Sequence, residues 1–225
     1  MSEREKILGR IREVLKAQAP PPGEALSEPD SIRSRQCLPK VGEPFDEQIV
    51  LFAQKLAELK ADFQIFNSDT EMKQALVSLR DTAGWKRMAR HSGPLTDVLC
   101  PVLGIPCLLT DQPYDVHDLE AADAGISECD ALVAQTGSVL VTNRSAGGRA
   151  LSVLPPHHVV LARREQLVAD LPAAFELLKQ KYGEDFPSMI SFISGPSRTG
   201  DIERILVLGA HGPKKLTIFV LNTNH

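Results

Sequence analysis

The residues able to do chemistry in this chain gather in a few polar stretches. The fullest is Ile193-Ser194-Gly195-Pro196-Ser197-Arg198-Thr199-Gly200-Asp201-Ile202-Glu203, which follows an apolar run from Met189 to Ile193. The run reads as a buried strand that delivers a small polar loop. Gly195 permits backbone angles that a Cβ would forbid, and Pro196 fixes the next turn. Ser194, Ser197 and Thr199 offer hydroxyls, and Arg198 offers a planar cationic fork suited to a carboxylate or phosphate. Loops at the carboxyl ends of strands are where open α/β sheets usually bind ligands. The same hydroxyls also suit a plain turn, in which they cap backbone groups. Asp201 and Glu203 favour a helix N-terminus and repel a phosphate, so the ligand stays open.

A second stretch, Gln135-Thr136-Gly137-Ser138, lies between two short apolar runs, with Gly137 marking another tight backbone position. Glu128 and Asp130 are carboxylates just upstream, and they equally suit a solvated helix end or turn. A third stretch, Gly147-Gly148-Arg149, brings a cation onto a flexible approach, with Ser145 and Ser152 close in sequence. Arg149 can meet a ligand anion or form an ion pair with Glu128 or Asp130. His157 and His158 begin an apolar run, so a regular strand points them to opposite faces. With no third ligand identifiable, they make no metal site. His211, in Gly209-Ala210-His211-Gly212-Pro213, sits in a turn that can meet the Ser194–Thr199 loop at one sheet end.

These stretches carry a family resemblance. Ser194-Gly195-Pro196-Ser197-Arg198-Thr199-Gly200-Asp201-Ile202-Glu203 followed by Leu206-Val207-Leu208-Gly209-Ala210-His211-Gly212-Pro213 resembles the lactate utilization protein C family, whose shared unit is the LUD domain. Ala124 to Ser138 and Gly148 to His158 are two further blocks that agree with it, in the same order. The resemblance implies a fold like the glucosamine-6-phosphate isomerase, ribose-5-phosphate isomerase and CoA-transferase group. It also implies a role in oxidising L-lactate to pyruvate beside partner proteins that carry iron–sulfur clusters. The family pattern reads Ala-Glu-Thr-Gly, so Gln135 stands where a glutamate is usual. An amide is a poor base and a poor nucleophile, which argues against covalent CoA transfer at Gln135, though it still hydrogen-bonds. His158 matches the family histidine better than His157.

The expected pocket for a small carboxylate or phosphate therefore joins Gln135, Thr136, Gly137, Ser138, Arg149, Ser194, Gly195, Ser197, Arg198 and Thr199. Glu128, His158 and His211 are the candidates for proton transfer. A stand-alone enzyme on a phosphorylated sugar, CoA thioester or folate-type ligand is the alternative, as is a non-catalytic regulatory or scaffold module.

The elements that must position these residues alternate from Phe45 onward, which argues for a layered α/β domain with a mostly parallel mixed sheet. Helices are expected over Glu47–Lys60, from Ser68 or Asp69 to about Leu79, and between Asp170 and Tyr182. Strands are expected at Asp62–Phe66, Arg87–His91, Ile105–Leu109, Ala131–Ala134, Ser138–Thr142, Val159–Ala162, Met189–Ile193, Arg204–Leu208 and Leu216–Leu221. Ala131–Ala134 and Ser138–Thr142 also suit an antiparallel pair. Ahead of them, Ser2 to Lys16 has an apolar stripe of Ile7, Leu8, Ile11, Val14 and Leu15 and a Ser2-x-x-Glu5 capping box. Ala19 to Pro44 is Pro-rich. The expected division is thus 1–44, helix and linker, and 45–225, the LUD domain.

At 225 residues and 43% hydrophobic, the chain can bury one full core. A net charge of -4 gives no basic footprint for nucleic acid. No apolar run approaches a membrane span, and the charged start lacks a signal core, so a cytoplasmic protein is expected. Cys37, Cys100, Cys107 and Cys129 are scattered rather than clustered at iron–sulfur spacings, so no cofactor is expected in this chain itself. Cys100 and Cys107 read as small core residues flanking a loop.

Overall fold

The computed structural model describes residues 38–200, 206–208 and 212–223 together with Glu5 and Leu8; side chains at 199, 200 and 206–208 are not described. The expected first helix apart from Glu5 and Leu8, most of the Pro-rich linker, Cys37, Asp201, Glu203 and His211 fall outside the described residues. The chain divides into two compact units, residues 1–39 and 40–225.

The second unit opens with helix α1, Phe45–Leu59, which has Asp46 and Glu47 in the first turn and buries Ile49, Phe52 and Leu56. Lys60 ends it in the left-handed conformation at φ 58°. Strand β1, Asp62–Phe66, follows, then helix α2, Asp69–Ala83. Ser68 caps α2 by accepting from the Glu71 amide at 3.2 Å, while the Glu71 carboxylate accepts from the Asn67 amide. After β2, Met88–Arg90, come the short helix α3, Thr96–Leu99, and a 3-10 turn at Cys100–Leu103. Next are β3, Cys107–Leu109, the short helix α4, Val116–Glu120, and β4, Ala124–Ser127. Strands β5, Ala131–Val133, and β6, Ser138–Thr142, precede the long β7, His157–Arg163. Then come β8, Leu167–Val168, helix α5, Leu171–Tyr182, capped by Asp170, and β9, Ile190–Ile193. Strands β10, Arg198–Gly200, β11, Leu206–Leu208, and β12, Lys215–Leu221, complete the order.

Six strands form a parallel sheet in the order β1-β12-β7-β4-β2-β3. Its central strands are apolar on both faces, and β7 shows why. Val159 and Leu161 pack with Met72, Leu76 and Leu99 on one side. Val160 and Ala162 pack with Phe52, Leu56, Leu132 and Val139 on the other. Alternation along the strand sends successive residues to opposite faces, so both must be covered. The α2 side closes one face. The other is shared by α1 and a second sheet, ordered β8-β5-β6-β9, in which β5 and β6 pair antiparallel and β6 pairs antiparallel with β9. Helix α5 covers the outer face of that sheet through Ala174 and Leu178. Strands β10 and β11 form a separate antiparallel ribbon.

The fold is the expected α/β layering with a mostly parallel main sheet, and β5–β6 takes the antiparallel alternative. Two differences have local causes. The Ser194–Thr199 loop runs directly into strand β10, which a polar Ser-Arg-Thr sequence does not signal. Cys107 is exposed on β3 at the end of the main sheet, whereas Cys100 is fully buried. An edge strand leaves residues uncovered that a central strand would bury.

Candidate functional site

Two of the polar stretches meet at one place. Ser138, the first residue of β6, shares a 2.7 Å hydrogen bond with Ser194, which follows β9, and Thr136 donates to Ser138 at 2.8 Å. The antiparallel register of β6 with β9 brings these ends together: Val139 lies opposite Ile193. Both turns rest on the carboxyl end of α1. A Cβ on Gly137 (φ 65°) would come within 2.7 Å of Lys55 Cβ, and one on Gly195 (φ 85°) within 3.0 Å of the Leu59 carbonyl. Positive φ and this close approach together account for glycine at both positions. Arg198 donates to the same Leu59 carbonyl, closing the last turn of α1 with a cation where the helix dipole is negative. Its guanidinium remains exposed, and one acceptor uses only part of its donor fork. Ser197 donates its amide to the Pro213 carbonyl at 2.8 Å. The loop is thereby tied to the segment that precedes β12.

Arg149 is elsewhere. It donates to the Ser188 carbonyl at 3.0 Å, beside the opposite end of the β6–β9 pair, where Thr142 lies across from Ile190. Thr142 lies four steps along the strand from Ser138, roughly 13 Å. The single pocket expected from the sequence is therefore divided, because β6 holds its two ends apart. Asp130 is not Arg149's partner either. Its fully buried carboxylate accepts from Ser145, Lys181 and Tyr182, each at 2.6 Å. Burial pushes that carboxyl up, but the three hydrogen bonds outweigh it and hold Asp130 below the ordinary carboxylate range.

Glu128 is spent on architecture. Its Oε1 accepts from the Leu95 and Thr96 amides at 2.7 and 3.1 Å, and its own amide donates to His91 Nε2 at 3.0 Å. His91 follows β2 and Glu128 follows β4, neighbouring strands whose connections run in opposite directions. This is the crevice in which open α/β sheets usually take ligands. Here the chain fills it itself: a Cβ on Gly147 would lie 2.3 Å from His91 Cβ and 2.5 Å from Thr110 Oγ1.

The two histidines of β7 diverge as strand geometry requires. His158 is fully buried and bonded through Nε2 to Ser127 Oγ at 2.9 Å. Burial pushes its pKa down to about 3, with His157 adding to the shift. His157, 4% exposed, pairs Nε2 with Thr217 Oγ1 at 2.9 Å and meets Trp85 edge-on at 5.1 Å. Burial first, and then the charge of Lys215, push it down to about 4. Both rings are neutral near pH 7, and each has a buried Nδ1 without a hydrogen-bond partner. Sequence reasoning singled out His158; His157 lines cavities at the amino edge of the sheet. That reasoning overlooked His91 altogether, because a lone histidine after a three-residue strand carries no motif.

Among the described residues, no three His, Cys, Asp or Glu side chains form a group able to hold a metal ion, and no helix is long and apolar enough to cross a membrane. Burial raises the Cys100 thiol to about 12 and raises Cys129 further. Neither is a ready thiolate.

Residues 116–221 match the family model of the LUD domain. The chain is 37% identical over 113 residues to Lactate utilization protein C of Shouchella clausii, covering 50% of this chain and 49% of that protein. It is 36% identical over 158 residues to Lactate utilization protein C of Anoxybacillus flavithermus, covering 64% of this chain and 70% of that one. Against several such relatives, the chain spans about half of their length, as with the 50% covered in Lactate utilization protein C 1 of Bacillus mycoides. The crystal structure of a DUF162 family protein from Deinococcus radiodurans is similar in fold, with a TM-score of 0.65 at 23% identity over 80% of this chain and 99% of that chain. With 70% of a relative matched at 36% identity, this chain belongs to the lactate utilization protein C family and carries its LUD domain.

Proposed function

We propose that this protein is a component of a lactate utilization system, serving the oxidation of L-lactate to pyruvate as a subunit that binds a small carboxylate or phosphate. The observation that carries the binding role is the meeting of Thr136, Ser138, Ser194 and Arg198 on the end of α1. Three linked hydroxyls that keep one O–H unshared, beside an exposed guanidinium, offer a small oxyanion one neutral donor and one planar cation. Family membership supports the pathway assignment, since relatives bear the name lactate utilization protein C.

In this reading the electrons pass through partner proteins with iron–sulfur clusters. The cysteines support that division of labour: Cys100 and Cys129 are buried with raised thiol pKa values, and no cluster-type spacing exists in the sequence. The chain's own contribution is to bind and orient an anionic ligand. Gln135 adds a hydrogen-bonding amide in place of a carboxylate, which suits holding a ligand rather than attacking it.

The test is lactate-dependent reduction of an artificial electron acceptor by purified iron–sulfur partners, with and without this chain. A rate that depends on the chain supports the assignment. An unchanged rate, or lactate oxidation by the metal-free chain alone, overturns it.

A further inference from the structure

The three hydroxyls at the end of α1 form a chain with a direction. Thr136 donates to Ser138 Oγ at 2.8 Å, and Ser138 and Ser194 share a 2.7 Å hydrogen bond. Ser138 is 2% exposed, so its own proton is kept from water. Among the described residues its hydroxyl meets only Thr136, which is already donating to it, and Ser194. Buried polar groups are nearly always paired, so the Ser138 proton goes to Ser194. A hydroxyl carries a single proton. Ser194 accepts from Ser138, and its own O–H is left to be given away. Ser194 is exposed, so the open end of the chain is the end that a ligand reaches.

The backbone holds the chain in place. Gly137, at φ 65°, turns Thr136 back onto Ser138. The β6–β9 register, with Val139 opposite Ile193, sets Ser138 beside Ser194 at the next step. Gly195, at φ 85°, then presses the loop onto α1, its Cβ position 3.0 Å from the Leu59 carbonyl. Arg198 donates to that same carbonyl. The residue after Ser194 and the Arg198 guanidinium thus meet at one atom, which brings the free O–H and the unused donors of the cationic fork to one small patch of surface. Hydrogen bonds in a chain polarise one another, so Ser194 is a stronger donor than an isolated serine.

We infer that Ser194 is the ligand-contacting donor of the small-anion site, and that Thr136 and Ser138 are positioning residues that act on the ligand only through it. The inference rests on the proposed small-anion role and assigns that site its neutral donor. The direction of the chain also limits the ligand. The atom that meets Ser194 has to be an acceptor, such as a carboxylate, phosphate or carbonyl oxygen, and a group able only to donate, such as an ammonium, is refused.

The experiment is isothermal titration of the whole purified chain with L-lactate, pyruvate and inorganic phosphate, at equal concentrations of folded protein. The tightest of the three is then titrated into Ser194→Ala, Ser194→Thr, Thr136→Val and the Ser194→Ala/Thr136→Val double variant. Thr136→Val keeps the side chain's shape and removes the first donor of the chain. Saturable binding by the wild-type chain, weakened by about tenfold or more in Ser194→Ala, is the expected result. Ser194→Thr, which keeps the O–H, should bind nearly as the wild type does, and Thr136→Val should weaken binding by a smaller factor. In the Ser194→Ala background Thr136→Val should change affinity by less than about twofold, because its effect passes through the missing hydroxyl. Whether the tightest ligand is an organic acid or phosphate identifies the source of the anion. Wild-type affinity in Ser194→Ala, or an equal effect of Thr136→Val in both backgrounds, overturns the inference and leaves the small-anion role standing. Absence of saturable binding by the wild-type chain overturns that role, and the inference with it.

Discussion

Arg198 donates to a backbone carbonyl at a helix end and keeps its guanidinium in solvent. A side chain so placed gives little to stability and much of what it has to a ligand. Arg198→Ala should therefore cost no more than about 1 kcal/mol in urea unfolding, the range of one helix-end charge. Affinity for the small anion should fall clearly at the same time. A large stability loss with unaltered affinity would make Arg198 a purely architectural cap. The β7 histidines give a second prediction, with its sign set by their lowered pKa values. The unfolded chain protonates both rings as pH falls through about 6.5, while the native rings stay neutral down to about 4 for His157 and about 3 for His158. Stability from their neutrality is full above pH 6.5 and lost as pH falls toward 4, by up to roughly 1.4 kcal/mol per pH unit for each ring. Denaturant titrations between pH 7 and 4 should show this slope, and a flat profile would mean that the rings take up protons in the native state.

At the scale of elements, the site exists because two turns land on the end of α1. Gly137→Ala would force a strained φ and push a methyl into Lys55. The expected cost is about 1–3 kcal/mol, read as a lower melting temperature together with weaker anion binding. The Asp130 network does comparable work at the far end of β6, tying α5 to the loop that carries Ser145. Asp130→Asn should destabilise by about 2 kcal/mol, less than a fully buried pair because the Lys181 side chain is 48% exposed. Since the Asp130 carboxyl is held below its ordinary range, its contribution is present above that range and lost as pH falls through the native value. The variant should accordingly flatten the most acidic part of the stability profile. Much of this was legible in the sequence. The Ser68 cap, the apolar face of α1 and the β-branched runs of β6, β7 and β12 announce their elements through periodicity and capping chemistry. The glycines at 137 and 195 announce tight turns in the same way. What stayed hidden depends on contacts distant along the chain. Nothing local tells that β6 separates Ser138 from Arg149, that Gly147 fills the crevice beside His91, or that His157 lines cavities at the amino edge of the sheet.

For the molecule as a whole, the arrangement inverts a common expectation. The carboxyl-edge crevice of the parallel sheet is packed by the chain's own His91, Glu128 and Gly147. The Ser194-Gly195-Pro196-Ser197-Arg198 stretch instead gathers with Ser138 on the end of α1. The central claim is that this gathered motif serves lactate oxidation, and one measurement tests it most directly. The lactate-dependent rate of acceptor reduction would be compared for purified iron–sulfur partners supplemented with wild-type chain or with Arg198→Ala, at equal concentrations of folded protein. The account predicts that the wild-type chain supports turnover and that the variant, equally stable, loses most of it. A variant that sustains the full wild-type rate would contradict it.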